Sequence, residues 1–260
     1  SSIRTQNHRL ATLHAFFRYI QSEEPDHLLQ CQKILALPMR RHPRTQVEYL
    51  SKEYLTEVLS QPDLSTLLGR RDAVLLSLLY DTGARVQELV DLSVGDVRLE
   101  SPAQVRLLGK GRKMRVVPLM DATKQLLYNY FTENNLNRPE YFDFPLFQNR
   151  LGNRLTRSGV RYILQKYVQN VRNKHSEFTQ KISPHSFRHT KGMHLLQSGV
   201  SLEIIRDFLG HVDVKTTQIY ARANLEMKRK ALENISEPSI IKALPSWKQN
   251  KDLLDWLHSL

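Results

Sequence analysis

The chain has 260 residues, enough for one large domain or two modest ones. Basic residues outnumber acidic ones by 38 − 26 = 12, and a composition 40% hydrophobic and 25% charged is that of a globular protein rather than a disordered or fibrous one. A single cysteine, Cys31, excludes an intramolecular disulfide framework and a cysteine-based zinc cage, and no apolar run approaches the roughly 20 residues that span a bilayer.

The opening residues carry no hydrophobic signal segment, so the expected setting is a reducing cytoplasm and no membrane. The positive charge is clustered. Arg106, Lys110, Arg112, Lys113 and Arg115 lie between Gln104 and Pro118 with no acid among them. Between Arg150 and His189 nine basic residues face one acid, Glu177. Solvated faces usually mix both signs, so two separated basic segments point to a surface that follows phosphates.

Residues 4–20 read as an amphipathic helix, with Leu10, Leu13, Phe17 and Ile20 at spacings of three and four. A short helix is expected over 27–36, after which two prolines and three arginines in 38–44 suggest an interdomain linker. Ser51 is placed to cap a helix carrying Tyr54, Leu55 and Val58. A buried helix over 71–80 is expected to stop at Asp81-Thr82-Gly83. Residues 104–108 and 114–119 alternate loosely around the turn-rich Gly109-Lys110-Gly111-Arg112-Lys113, which predicts a β-hairpin. Helices are expected again over 124–131 and 158–171, separated by a loop over 136–152.

Sharper signals follow. Ser183-Pro184 sets an N-cap before proline at the first helical position, placing His185 in the first turn and Arg188 on the same face. That helix is expected to end at Gly199, and the next to run from Ser201 to Leu209, stopped by Gly210 and followed at once by His211. Asp213 can cap a last helix carrying Tyr220. Unpaired N–H groups at a helix start attract anions, and His185 and Arg188 add two donors aimed the same way. Lys191-Gly192 inside this helix is unusual, since an interior glycine costs about 1 kcal/mol relative to alanine.

In chain order the sequence carries Thr82-Gly83-Ala84-Arg85-Val86-Gln87-Glu88-Leu89, Gly109-Lys110-Gly111-Arg112-Lys113, His185-Ser186-Phe187-Arg188-His189-Thr190, Leu209-Gly210-His211 and Thr216-Thr217-Gln218-Ile219-Tyr220. This series closely resembles the tyrosine recombinase family, the integrases and Xer-like recombinases, over roughly residues 46–224. The first helix, with Asn7-His8-Arg9-Leu10 and Phe16-Phe17-Arg18-Tyr19, is similar to part of that family's N-terminal core-binding domain. The resemblance implies a mainly α fold with a small antiparallel β-sheet: a partial DNA-clamping domain over 1–38, a linker over 39–45, a catalytic domain over 46–224 and a tail over 225–260.

It also implies a site-specific DNA recombinase that needs neither metal nor ATP. Tyr220 would attack a phosphodiester to form a 3′-phosphotyrosine, Arg85 and Arg188 would clamp the phosphate, and Lys110 would protonate the leaving 5′-oxygen. His185 would take the tyrosine proton or hold the phosphate, His211 would donate a hydrogen bond to it, and Glu88 would brace Arg85. Contacts to double-stranded DNA are expected from Arg4, Arg9, Arg40, Arg41, Arg44, Arg112, Lys113, Arg154, Arg157 and Arg161.

Other readings stand beside these. Arg85 and Glu88 could form an ordinary helix-surface bridge, Lys113 competes with Lys110, and His211 could simply follow a helix stop. His189 and His194 read as structural, while Tyr162 and Tyr167 could pack or touch DNA. At the level of function, the rivals are a catalytically silent DNA-binding protein of the same fold and a type IB topoisomerase-like relaxation enzyme. The run Tyr220-Ala221-Arg222-Ala223-Asn224-Leu225 looks more like mobile-element integrases than housekeeping Xer proteins. A homo-oligomer of two to four copies on specific DNA sites in the bacterial nucleoid is expected, with residues 240–260 packed between protomers.

Overall fold

The computed structural model describes residues 1–41 and 48–210, and of Lys110 the backbone alone. The chain divides into two compact units, Ser1–Gln46 and Val47–Leu260.

In the first unit, α1 (Ile3–Glu23) begins at Ser2, whose hydroxyl accepts the Thr5 N–H, and α2 (Leu28–Leu35) packs back against it. His14 and Cys31 are the buried side chains. Arg40, in the expected linker, is tied to α1. The Asn7 amide donates to its carbonyl at 2.8 Å and accepts its N–H at 3.0 Å, while the guanidinium donates to Gln6 Oε1.

The second unit is built around α4 (Leu67–Thr82), where Ala73, Val74, Leu75, Leu76, Leu78 and Leu79 are all buried. A helix apolar on nearly every side must be covered on every side. It is flanked by α3 (Lys52–Leu59), α6 (Asp121–Glu133) and α8 (Pro184–Gln197). The long α7 (Arg157–Lys174) packs on α3, α8 and the short α5 (Val86–Asp91), and α9 (Leu202–Leu209) packs on α8. Met193, Leu196, Ile205 and Leu209 close a small core between α8 and α9.

One antiparallel sheet completes the unit, in the order β1 (Val97–Arg98), β2 (Gln104–Leu108), β3 (Met114–Pro118). Val105 pairs with Val117 and Leu107 with Arg115, so the buried face of the hairpin carries three aliphatic side chains and one arginine. The predicted hairpin therefore forms, with its second strand ending at Pro118, and a short 3₁₀ turn over Lys110–Arg112 closes it.

Local chemistry sets the boundaries. Ser51, Thr66, Thr156, Ser183 and Ser201 each accept a backbone N–H of the helix they start. Gly83 and Gly210 end α4 and α9 in the left-handed conformation, at φ +55° and +63°. The helix expected to reach Gly199 ends at Gln197 instead, because the Ser198 N–H donates to the His194 carbonyl, the Gly199 N–H donates to the Leu196 carbonyl, and Gly199 turns at φ +83°. The two-residue β1 is too short to show an alternating pattern, and only its pairing with Val105 and Gln104 defines it.

Most buried polar groups are matched; among the described residues His14 Nε2 and Gln180 Oε1 are the exceptions. His194, expected to be structural, donates from Nε2 to the Leu50 carbonyl and accepts the Tyr80 hydroxyl at Nδ1, at 3.0 and 2.8 Å. Tyr167 packs inside and donates to Asp72 Oδ2, while Tyr162 faces solvent. The unusual Lys191 lies over the Tyr80 ring with Nζ 3.7 Å from Asp81 Oδ1, which gives a lysine in a packed helix both an aromatic face and a countercharge.

Candidate active site

Gly83 turns the chain out of α4, and two residues later Arg85 stands at the N-cap of α5. Its backbone N–H and its Nη1 both donate to Glu88, at 2.9 and 2.6 Å. The bridge considered from sequence thus exists, but it is not an ordinary surface pair: the Glu88 side chain is 4% exposed and also accepts from Arg115 Nη2 at 2.7 Å. Burial alone would raise the Glu88 pKa, yet the hydrogen bonds from Arg115 and Arg85 hold it below the usual carboxylate value.

The same arginines reach a second target. Arg115 Nε donates to the Phe208 carbonyl at 3.1 Å, Arg188 Nη2 donates to the Leu209 carbonyl, and Arg85 Nη2 donates to the Gly210 carbonyl at 3.1 Å. Three consecutive carbonyls at the end of α9 therefore take one guanidinium each. A helix C-terminus presents unpaired carbonyls and partial negative charge, so it gathers cations. Arg188 is anchored a second time through Nη1 to the Gly83 carbonyl at 2.7 Å, which joins the ends of α4 and α9.

His185, one turn before His189 on α8, lies within the field of both Arg188 and Arg85. His185 is exposed, but the protein around it, and then these two positive charges, push its pKa below the ordinary value. The hairpin closes in from the other side. A Cβ placed on Gly109 would sit 3.4 Å from Glu88 Oε1 and 3.6 Å from Arg115 Nη1, so the backbone entering Lys110 borders the same cluster.

Arg85, Glu88, His185 and Arg188 are thus brought together, with the Lys110 backbone beside them. His211 follows Gly210 directly in sequence, but His211, Tyr220, Arg44 and the tail lie outside the described residues. Among the expected DNA contacts, Arg4, Arg9, Arg40, Arg41, Arg112, Lys113, Arg157 and Arg161 are exposed. Arg154 is engaged inside the fold, donating from Nη1 to the Val90 and Leu92 carbonyls at 2.9 and 3.3 Å.

Arg115 is the residue that sequence reasoning left out of the site. A signal existed: two positions before buried Val117, it falls on the inward face of β3, where an arginine must find a carboxylate.

The chain is also similar to known proteins. The model of the phage integrase family matches residues 48–227, most of the second unit. The chain belongs to this family. It is 38% identical over its whole length to y4rC of Sinorhizobium fredii, named as an integrase/recombinase, and covers 76% of that protein. It is 34% identical to the tyrosine recombinase XerD of Listeria innocua, over 81% of this chain and 69% of that protein. Among solved structures, the XerH site-specific recombinase bound to palindromic difH in a post-cleavage complex is 25% identical with a TM-score of 0.60. That match covers 74% of this chain, which spans 54% of the XerH chain. The Tn1549 transposon integrase in complex with circular intermediate DNA shares the fold, with a TM-score of 0.63 at 22% identity over 91% of this chain and 81% of that one. This tyrosine recombinase has no helix among its described residues that is long and apolar enough to cross a membrane.

Proposed function

We propose that the protein is a site-specific DNA recombinase that breaks and rejoins strands through a 3′-phosphotyrosine on Tyr220. One observation carries the reading. Arg85, His185 and Arg188, up to about a hundred residues apart in sequence, meet at the end of α9, one residue before His211.

In the step proposed, the Tyr220 oxygen bonds to phosphorus as the bond to the 5′-oxygen breaks. Arg85 and Arg188 donate to the non-bridging oxygens in place of the Gly210 and Leu209 carbonyls that they hold in this structure, a stabilisation on the order of 3 kcal/mol per donor. Lys110 delivers the proton to the leaving 5′-oxygen, His185 receives the tyrosine proton or holds the phosphate, and His211 donates to the phosphate. The bond energy is kept in the phosphotyrosine, so a 5′-hydroxyl from another duplex reverses the step without ATP or a metal. Exchange between two duplexes requires a tyrosine for each strand cut, which favours a homo-oligomer of two to four copies on its DNA sites. A mobile-element role is the reading favoured by the run Tyr220-Ala221-Arg222-Ala223-Asn224-Leu225, beside the likeness over the whole of this chain to a protein named as an integrase/recombinase. The exposed Arg112, Lys113, Arg157 and Arg161 suit DNA backbone contacts.

The test is a nicked suicide substrate carrying the cognate site, with adducts resolved on a denaturing gel. Wild type should form a covalent protein–DNA adduct and Tyr220→Phe none. A wild type that binds the site without an adduct would instead mark a silent DNA-binding protein. Relaxation of supercoils without joining between duplexes would mark a topoisomerase.

A further inference from the structure

His185 and His189 stand one turn apart on the same face of α8, their rings crossed at 78° with centroids 4.4 Å apart. The two Nε2 atoms are 3.0 Å from each other. At that distance two bare lone pairs repel and two N–H groups collide, so one ring donates from Nε2 and the other accepts there. The accepting ring must then carry its own proton on Nδ1. The pair therefore holds opposite tautomers, and the state of one ring dictates what the other can offer elsewhere.

Both rings are neutral near pH 7. Burial, then the charges of His185 and Arg188, bring the His189 pKa to about 4, and His185 is pushed down by its surroundings and by Arg188 and Arg85. His189 is 5% exposed, so its ring is fixed by the packing around it, whereas His185 reaches the site.

We propose that His189 is a positioning residue for His185: through the Nε2–Nε2 hydrogen bond it locks the ring and tautomer that His185 presents to the scissile phosphate and the attacking tyrosine. This rests on the recombinase reading of the site. A nucleophile's base oriented by a third group is a general arrangement, and here a second imidazole fills that place. The direction of the bond decides whether His185 Nδ1 is bare and can accept a proton or carries one and can donate it.

The experiment compares His189→Leu and His189→Gln with wild type in the full chain. Single-turnover adduct formation is measured on the suicide substrate at saturating DNA, with affinity by gel shift and His185 ring nitrogens by ¹⁵N NMR. Leucine fills the space without the bond, and it should slow adduct formation roughly tenfold with affinity within about twofold of wild type. Glutamine, whose amide can give or accept the same bond, should restore most of the rate. In wild type, His185 should show one protonated and one bare nitrogen and His189 the mirror pattern, with averaging at His185 in His189→Leu.

Cleavage by His189→Leu at the wild-type rate, equal losses in both variants, or averaged His185 nitrogens in wild type would each overturn the proposal. If His189→Leu does not fold, His189→Gln and the wild-type spectrum still decide. Should wild type form no adduct at all, the recombinase reading fails, while the nitrogen spectrum still reports on the pair.

Discussion

Arg85 and Arg115 grip opposite oxygens of Glu88, at 2.6 and 2.7 Å, so one buried carboxylate fixes two guanidiniums whose other ends hold the last turn of α9. Without it, two positive groups would face each other across a site that also has to keep Arg188 and His185 in place. Glu88 therefore does more than brace Arg85; it joins α5, β3 and α9.

Glu88→Gln should be costly in both stability and activity. The amide keeps one acceptor but turns an NH₂ toward a guanidinium, and removing one partner of a buried charge pair typically costs 3–5 kcal/mol. Because Arg85 is 35% exposed and partly screened, about 2–3 kcal/mol is expected in urea unfolding, with adduct formation down more than about tenfold. An unchanged midpoint and rate would mean that the arginines hold their places without the carboxylate.

Arg115→Lys separates charge from geometry. Lysine keeps the positive charge but offers one compact ammonium where Arg115 spans Glu88 Oε2 and the Phe208 carbonyl. A loss of about 1–2 kcal/mol in stability is expected for the contact given up. The rate of adduct formation should fall further than DNA affinity, since the end of α9 leads directly to His211. Equal losses in rate and affinity would make Arg115 an ordinary DNA-binding charge.

Much of this was legible in the sequence because it is written in local chemistry. Ser51, Ser183 and Ser201 announce helix starts, and Gly83 and Gly210 announce stops, through groups within four residues of each boundary. The hairpin is legible in alternation on either side of a glycine-rich turn. What the sequence hides is long-range. No spacing rule links Arg115 to Phe208, 93 residues on, or Leu50 to Thr190 and His194 on α8. Those pairings follow from how α4, α8 and α9 pack. The Arg85–Glu88 pairing was legible, but not its burial, which turns a weak surface bridge into the hub of the cluster.

Gly83→Ala should disturb the site from behind. The position has φ +55°, and an added Cβ would come within 2.6 Å of Leu209 Cδ2, on the turn whose carbonyl Arg188 holds. The strain of a left-handed alanine plus the overpacking suggests a loss of about 2–3 kcal/mol in thermal or urea unfolding. Gly199→Ala is the control: its φ is +83°, but nothing lies within 4 Å of the added Cβ, so it should cost only the backbone strain and leave cleavage unchanged. Similar activity losses in both would show that the turn matters only for folding.

Two sets of histidines should pull stability in opposite directions as pH changes. His185, His189 and His194 have pKa values lowered first by burial, so the folded protein resists taking up their protons. Their contribution is complete above the unfolded value of about 6.5 and is lost as pH falls from there toward the folded values, which for His189 means down to about 4. Within that window each such group removes up to about 1.4 kcal/mol per pH unit. His175 behaves in reverse. The hydrogen bond to Glu57 Oε1 at 2.9 Å, with Glu177 on its other nitrogen, raises its pKa, so its contribution is complete below about 6.5 and disappears as pH rises through the folded value. Melting temperatures between pH 4.5 and about 7.5 should therefore fall on the acid side in wild type, less steeply in His189→Gln and more steeply in His175→Gln. If His189→Gln left the acid limb as steep as wild type, the His189 imidazole could not be held neutral by the fold.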